Sequence, residues 1–178
     1  LEKTLGIECG ATPGAQDLIG RQMAAAGSSQ GRSIEVIAER TGAKIGEEKL
    51  RNVSSYLADI MEPHREHCQV QQLAKWIDQA VKDGKKAILS VSRDGVSLRI
   101  APFGTYEMAS VATLSVYADG KRIGTVYLSA APEENQTSLS EKFTSLLKAI
   151  IQSHGSKLSR IVYVSDAGKI ETAYWKNV

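Results

Sequence analysis

Cysteine is scarce, since the 178-residue chain has only two, Cys9 and Cys68, and they do not form a CxxC pair. They are too few for a disulfide framework, and two free thiols in a reducing cytoplasm are expected. Long apolar runs are missing as well. No stretch of eighteen apolar residues occurs, so no helical membrane span is expected, and no basic patch followed by an apolar stretch marks a signal peptide. Net charge is also small, at +2, but it is unevenly spread: residues 1–80 hold 9 Lys+Arg against 11 Asp+Glu, and residues 81–178 hold 13 against 9. The positive excess of the C-terminal half is compatible with a phosphate-rich partner, and equally with an ordinary solvated surface. What is present is enough apolar material, 42% of the residues, for one core or for one core with a small helical satellite. The first residue is Leu1, and a fragment of a longer protein is expected.

Residues 1–31 are rich in Gly, Ala, Ser and Gln, and glycines with Pro13 interrupt any long period, leaving at most a short helix near 14–26. From Arg32, Ile34, Ile37 and Ala38 share one helical face and Gly42 ends it, while Leu50, Val53, Leu57 and Ile60 define a second helix. The pair, joined by TGAKIG, reads as a helix-turn-helix. A linking helix after Pro63 carries Val70, Leu73, Ala74, Ile77 and Val81 and stops at DGKK, residues 83–86. The organisation expected is thus 1–31 irregular or short helix, 32–84 helical, and 85–178 a sheet domain.

Past residue 86 the period changes to that of strands. AILSVS (87–92) and VSLRI (96–100) are separated by Asp94-Gly95, and SVATLSVYA (110–118) and RIGTVYLSAA (122–131) flank Asp119-Gly120, a strong hairpin signal. A helix follows with a capping box, Ser138 to Glu141, and an apolar stripe of Leu139, Phe143, Leu146, Leu147, Ile150 and Ile151. IVYV (161–164) then suits a strand buried on both faces. Strand, helix, strand demands a parallel crossover, which would bring 161–164 beside 87–92. The expected fold is α/β: three antiparallel strands, a crossover helix and a parallel fourth strand. Asp94 and Asp166 would then stand just past the ends of the first and fourth strands, at the carboxyl edge where open α/β sheets bind ligands. Two hard carboxylates there suit Mg²⁺ or Mn²⁺ and two-metal phosphoryl transfer, although Asp and Gly also gather in turns for backbone reasons alone.

VSRDGVSLRI, VATLSVYADGKRIGTVYLS, the capped helix and IVYVSDAGKIETAYW together resemble the insertion-sequence DDE transposases, whose catalytic domain is RNase H-like, as in retroviral integrases. The resemblance covers most of 86–178. It implies Asp94 and Asp166 as catalytic and metal-binding residues, two Mg²⁺ or Mn²⁺ ions, and DNA nicking followed by strand transfer. The third carboxylate of such enzymes lies on a helix further downstream, and the chain ends twelve residues after Asp166. Glu171 is assigned to the next segment rather than to the metal site, so this fragment is expected to be inactive alone. The helix-turn-helix fits the same family, with Lys49, Arg51 and Asn52 facing a DNA groove and Lys169 or Arg93 near phosphate. The expected partners are double-stranded DNA, at element ends and target, with room for a homodimer; the protein would be cytoplasmic and nucleoid-associated when on DNA. His64, His67 and Cys68 lack a completing ligand and read as a polar helix face, and Trp76 and Trp175 as core or boundary residues. The alternative function is a non-enzymatic helix-turn-helix regulator with an antiparallel-sheet sensor or dimerisation domain. A parallel pairing of the strands carrying the two aspartates separates the alternatives.

Overall fold

A computed structural model describes residues 3–25, 29–82, 84–100, 102, 104–133, 136–165 and 169–177. The chain divides into two compact units, Leu1–Arg65 and Glu66–Val178.

The first unit is helical. Helix α1 (Pro13–Ala24) starts with Pro13 in its first turn and Thr12 as N-cap, α2 (Gln30–Thr41) is capped by Ser29, and α3 (Glu47–Met61) follows. Ser29 Oγ accepts from the Arg32 amide at 3.1 Å, satisfying one of the N–H groups that a helix start leaves without a partner. Gly42 ends α2 in the left-handed region, at φ 70°. The helices meet on a small core of Ile19, Ile37, Leu50 and Val53, the residues that the 3.6-residue period places on facing stripes.

The second unit is a two-layer α/β structure. Helix α4 (Arg65–Lys82) precedes strands β1 (Ala87–Ile100), β2 (Thr105–Ala118) and β3 (Lys121–Glu133), then come α5 (Thr137–His154), β4 (Leu158–Val164) and α6 (Lys169–Asn177). The four strands lie in the order β3-β2-β1-β4. β1 pairs antiparallel with β2 and β2 antiparallel with β3, whereas β1 and β4 are parallel neighbours. The hairpin between β2 and β3 turns at Asp119 (φ 49°) and Gly120 (φ 74°), the two successive positive φ angles of a type I′ turn. Leu89 and Val91 of β1, Leu114 and Val116 of β2, and Val126 and Leu128 of β3 point to one face. Against them pack Leu73 and Ile77 of α4, Phe143, Leu146 and Ile150 of α5, and Tyr174 and Trp175 of α6.

Four details differ from the sequence reading. Helix α4, expected as a link, supplies core side chains to the sheet unit, because its Leu73–Ile77–Ala80 stripe is apolar enough to need a sheet face. Residues 87–92 and 96–100 are one continuous strand, not two. Gly95 has no positive φ; it sits where a Cβ would lie 2.7 Å from Met108 Sδ, so close packing and not a turn requires it. The expected Ser138–Glu141 capping box does not form, since α5 starts two residues earlier than that box would place it and Glu133 reaches over it. Glu133 Oε2 accepts from the Ser138 amide at 3.2 Å and Oε1 from the Leu139 amide at 3.3 Å, a carboxylate doing the work of an N-cap. Finally β4 is an edge strand with one covered face, leaving Val164 51% exposed, although its apolar run reads as doubly buried.

Candidate functional site

Strand alternation sorts β1 into two sets of side chains. Odd positions enter the core, and at the end of that row Arg93 is 4% exposed. A buried guanidinium needs partners for its donors. Its Nε donates to Gln136 Oε1 at 3.1 Å, Nη1 donates to Ser140 Oγ at 3.0 Å, and its Cζ lies 4.3 Å from the centroid of the Tyr174 ring. Arg93 therefore ties β1 to the start of α5 and to α6. This corrects its expected place near phosphate: the side chain lies beneath helices, on the face opposite Asp94.

Even positions face away from the core. Asp94 is exposed, is paired across the strands with Val111, and its Oδ1 accepts from the Gly95 amide at 2.8 Å. Among the described residues no cation pairs with it. It lies inside β1 rather than past its end, because β1 continues to Ile100 on the support of β2 alone; the parallel pairing with β4 stops at Ser92 opposite Val164. Asp166 lies outside the described residues, as do the side chains of Lys169 and Glu171. Among the described residues no group of three or more His, Cys, Asp and Glu side chains could hold a metal ion. Asp94 fits a divalent cation as a single hard, solvent-facing oxygen ligand, and the described residues supply no second one beside it.

In the helical unit, Arg51 and Asn52 are exposed on α3, whereas Lys49 is half-buried and its Nζ donates to the Cys9 carbonyl. Lys49 thus anchors the turn at Cys9 and Gly10 instead of facing outward with its neighbours. A groove of about 460 Å³ between α1 and α3, lined by Gly20, Met23, Leu57, Ala58 and Met61, had no clear sequence signal because its lining comes from two helices. His64, His67 and Cys68 are exposed, as is Cys9. Trp175 meets Phe143 edge-on at 5.6 Å and Tyr163 at 4.7 Å between centroids, so it is a boundary residue of the core. Among the described residues no helix is long and apolar enough to cross a membrane.

Sequence reasoning missed the Arg93 clamp and the Glu133 cap. Arg93 carried one usable signal, the next odd position after Ala87, Leu89 and Val91 in a strand of period two; Glu133 carried none, because its target amides are set by how the chain enters α5. No protein-family model, no curated protein and no solved structure matches this chain.

Proposed function

We propose that residues 66–178 are part of an RNase H-like catalytic domain and that the chain belongs to a DDE-type DNA transposase, cutting and joining DNA by metal-dependent phosphoryl transfer. One observation carries the reading: β1 and β4 are adjacent and parallel, with Ser92 opposite Val164. Asp94 stands two residues after Ser92, and Asp166 two residues after Val164. The two aspartates thus stand at the same sequence offset from the last paired residues of the parallel strands, whose carboxyl ends are where ligands of open α/β sheets bind. The strand order and the crossover helix support the same fold. A sensor domain with a purely antiparallel sheet would not need a parallel β4, so the mixed sheet favours the transposase over the regulator.

In this reading Asp94, with Asp166, holds divalent cations through hard oxygens. The chemistry that two such ions supply when bound is activation of an attacking water or 3′-hydroxyl and neutralisation of charge in an in-line displacement. The protein's own part is positional. Asp94 rides on a strand hydrogen-bonded on one side by β2 and on the other, up to Ser92, by β4, and Arg93 behind it locks that strand to α5 and α6. Exposed Arg51 and Asn52 on α3 are the proposed DNA contacts, with Lys49 behind them as the anchor.

The test is a titration of Mn²⁺ or Mg²⁺ into the whole chain, followed by backbone amide NMR, in wild type and in Asp94→Ala and Asp166→Ala. Shifts confined to residues near 94 and 166 and lost in both variants are expected. Shifts that survive both substitutions, or their absence from the wild type, would overturn the reading.

A further inference from the structure

Positive charge in the sheet unit is gathered at one edge. Ala87, the first residue of β1, pairs with Ala118 on one side and with Leu158 on the other, and Ala118 pairs with Lys121. One rung therefore joins the start of β1, the tip of the β2–β3 hairpin and the start of β4. Lys86 immediately precedes that rung, Lys121 lies on it, and Arg122 and Arg160 lie within two residues of it. All four are exposed, and among the described residues none has a side-chain hydrogen bond or an ion pair. Of the acids near this edge, Asp119 lies 3.9 Å from Lys85 Nζ, Asp78 of α4 accepts from Lys157 Nζ at 2.5 Å, and Asp83 lies outside the described residues. Glu107 and Glu133 stand towards the other end of the sheet, paired with Leu98 and Met108.

Helix ends account for the neighbouring lysines but not for these four cations. Lys82 stands in the last turn of α4 and Lys157 follows the end of α5, where a helix dipole favours positive charge. Lys86, Lys121, Arg122 and Arg160 sit at strand ends, which carry little dipole, and their mutual repulsion costs stability unless an anion offsets it. The row runs across the sheet from β3 to β4, three strand spacings or about 14 Å. One strand of a duplex advances about 3.4 Å per phosphate, so the row spans about four of them. The stretches that form the edge, KKAI (85–88), ADGKRI (118–123) and KLSRI (157–161), contain no Asn, Gln or aromatic residue. They offer charge, and little that would pair with a base edge or stack on a base. No large apolar side chain of these stretches is exposed, so nothing there would insert into a lipid surface.

We infer that this edge is a backbone-binding surface for duplex DNA, on which Lys86, Lys121, Arg122 and Arg160 contact phosphates without reading sequence and without metal. The choice of DNA among nucleic acids rests on the transposase reading; the charge argument uses neither aspartate. Ile88, at the edge, is six residues from Asp94 along β1, about 20 Å at roughly 3.3 Å per residue. The phosphates held here are therefore not those that would meet metal ions at Asp94. Contacts of this kind fix the register and orientation of a duplex and supply affinity. The two readings fail separately, since this one is measured as DNA binding in EDTA and the other as metal-induced amide shifts without DNA.

The experiment is fluorescence anisotropy of a labelled mixed-sequence duplex titrated with the full chain in EDTA, over a series of KCl concentrations. The wild type is expected to bind unrelated duplexes alike, with log K falling linearly as log salt rises. Replacing Lys86, Lys121, Arg122 or Arg160 by Ala should each flatten that slope by about 0.9. Arg160→Glu should weaken binding about tenfold near 0.1 M salt, whereas Arg99→Glu, the same change in net charge near the far end of β1, should alter it by about twofold or less. These side chains are exposed, so far-UV spectra and Tm should stay as in the wild type. A wild type that does not bind, edge variants that keep the wild-type slope, or an Arg99→Glu as damaging as Arg160→Glu would each overturn the proposal. So would binding to anionic lipid vesicles that the edge variants lose while their duplex binding persists.

Discussion

Gly124→Ala tests how α4 sits on the sheet. A Cβ at Gly124 would lie 2.3 Å, 2.4 Å and 2.6 Å from three ring atoms of Trp76. Carbon atoms rest at roughly 3.5–4.0 Å, so the indole would have to retreat by about 1 Å. The ring is rigid and half-buried against the core, and α4 is fixed by Leu73 and Ile77, both fully buried in it. Overpacking of this kind costs about 1–3 kcal/mol, against the ~0.5–1 kcal/mol that Ala ordinarily gains over Gly in a strand interior. A net loss of about 1–2 kcal/mol follows. At about 4 °C per kcal/mol for a unit of this size, Tm should fall by roughly 4–8 °C. The control is the same substitution beside Trp76→Ala, where the clash is gone and Gly124→Ala should be neutral or slightly stabilising. Urea unfolding followed by far-UV circular dichroism measures all four corners of the cycle and does not depend on the tryptophan removed. A Gly124→Ala that is neutral in the wild-type background, or equally costly in both, would refute the packing of Trp76 over Gly124.

The Glu133 carboxyl is held below the usual range by the Ser138 hydroxyl first, against some desolvation, and further by the Leu139 and Ser138 amides and the nearby Lys142 charge. A depressed carboxyl stabilises above its unfolded pKa and loses that contribution as pH falls through the folded value, so Glu133→Gln should lower Tm at pH 7 and converge with wild type in acid; parallel curves would disprove the cap. Asp78, lowered chiefly by its hydrogen bond to Lys157 at 2.5 Å, has the same sign, and Asp78→Asn should add its own acid convergence in the same pH series. Arg93→Ala should cost about 2–4 kcal/mol in urea unfolding, because it removes charge-assisted hydrogen bonds to Gln136 and Ser140 and the cover of the Tyr174 ring, while a cost under about 0.5 kcal/mol would rule out a clamp. If α3 binds duplex DNA, Arg51→Ala should flatten the salt dependence of log K by about 0.9 without altering Tm, whereas Lys49→Ala should lower Tm of the helical unit; the reverse pattern would place Lys49 at the phosphates.

Much of the architecture was legible in the chain. The 3.6-residue stripes of α3 and α5, the glycine stop at Gly42 and the Asp119-Gly120 turn are local signals, and each encodes an element that forms where its pattern lies. The crossover rule converted strand, helix, strand into a parallel β1–β4 pair. Of the two aspartates that the sequence singles out at matching offsets, Asp94 lies exposed on the face away from the core and Asp166 lies outside the described residues. What misled was local ambiguity. Asp94-Gly95 is written like a turn, yet fourteen consecutive residues pair with β2, because Met108 needs the space that a side chain at Gly95 would fill.

The sequence alone therefore determined the elements, their order and the residue types that can carry charge or bury, since hydrophobic period, caps and turns act within a few residues. Only the tertiary structure decided that α4 belongs to the sheet, that Arg93 is a buried clamp while its neighbour Asp94 is exposed, and that β4 leaves one face open. These depend on which surfaces meet across long separations in the chain, and a contact such as Arg93 with Gln136 or Trp76 with Gly124 leaves no mark in the local pattern of either partner.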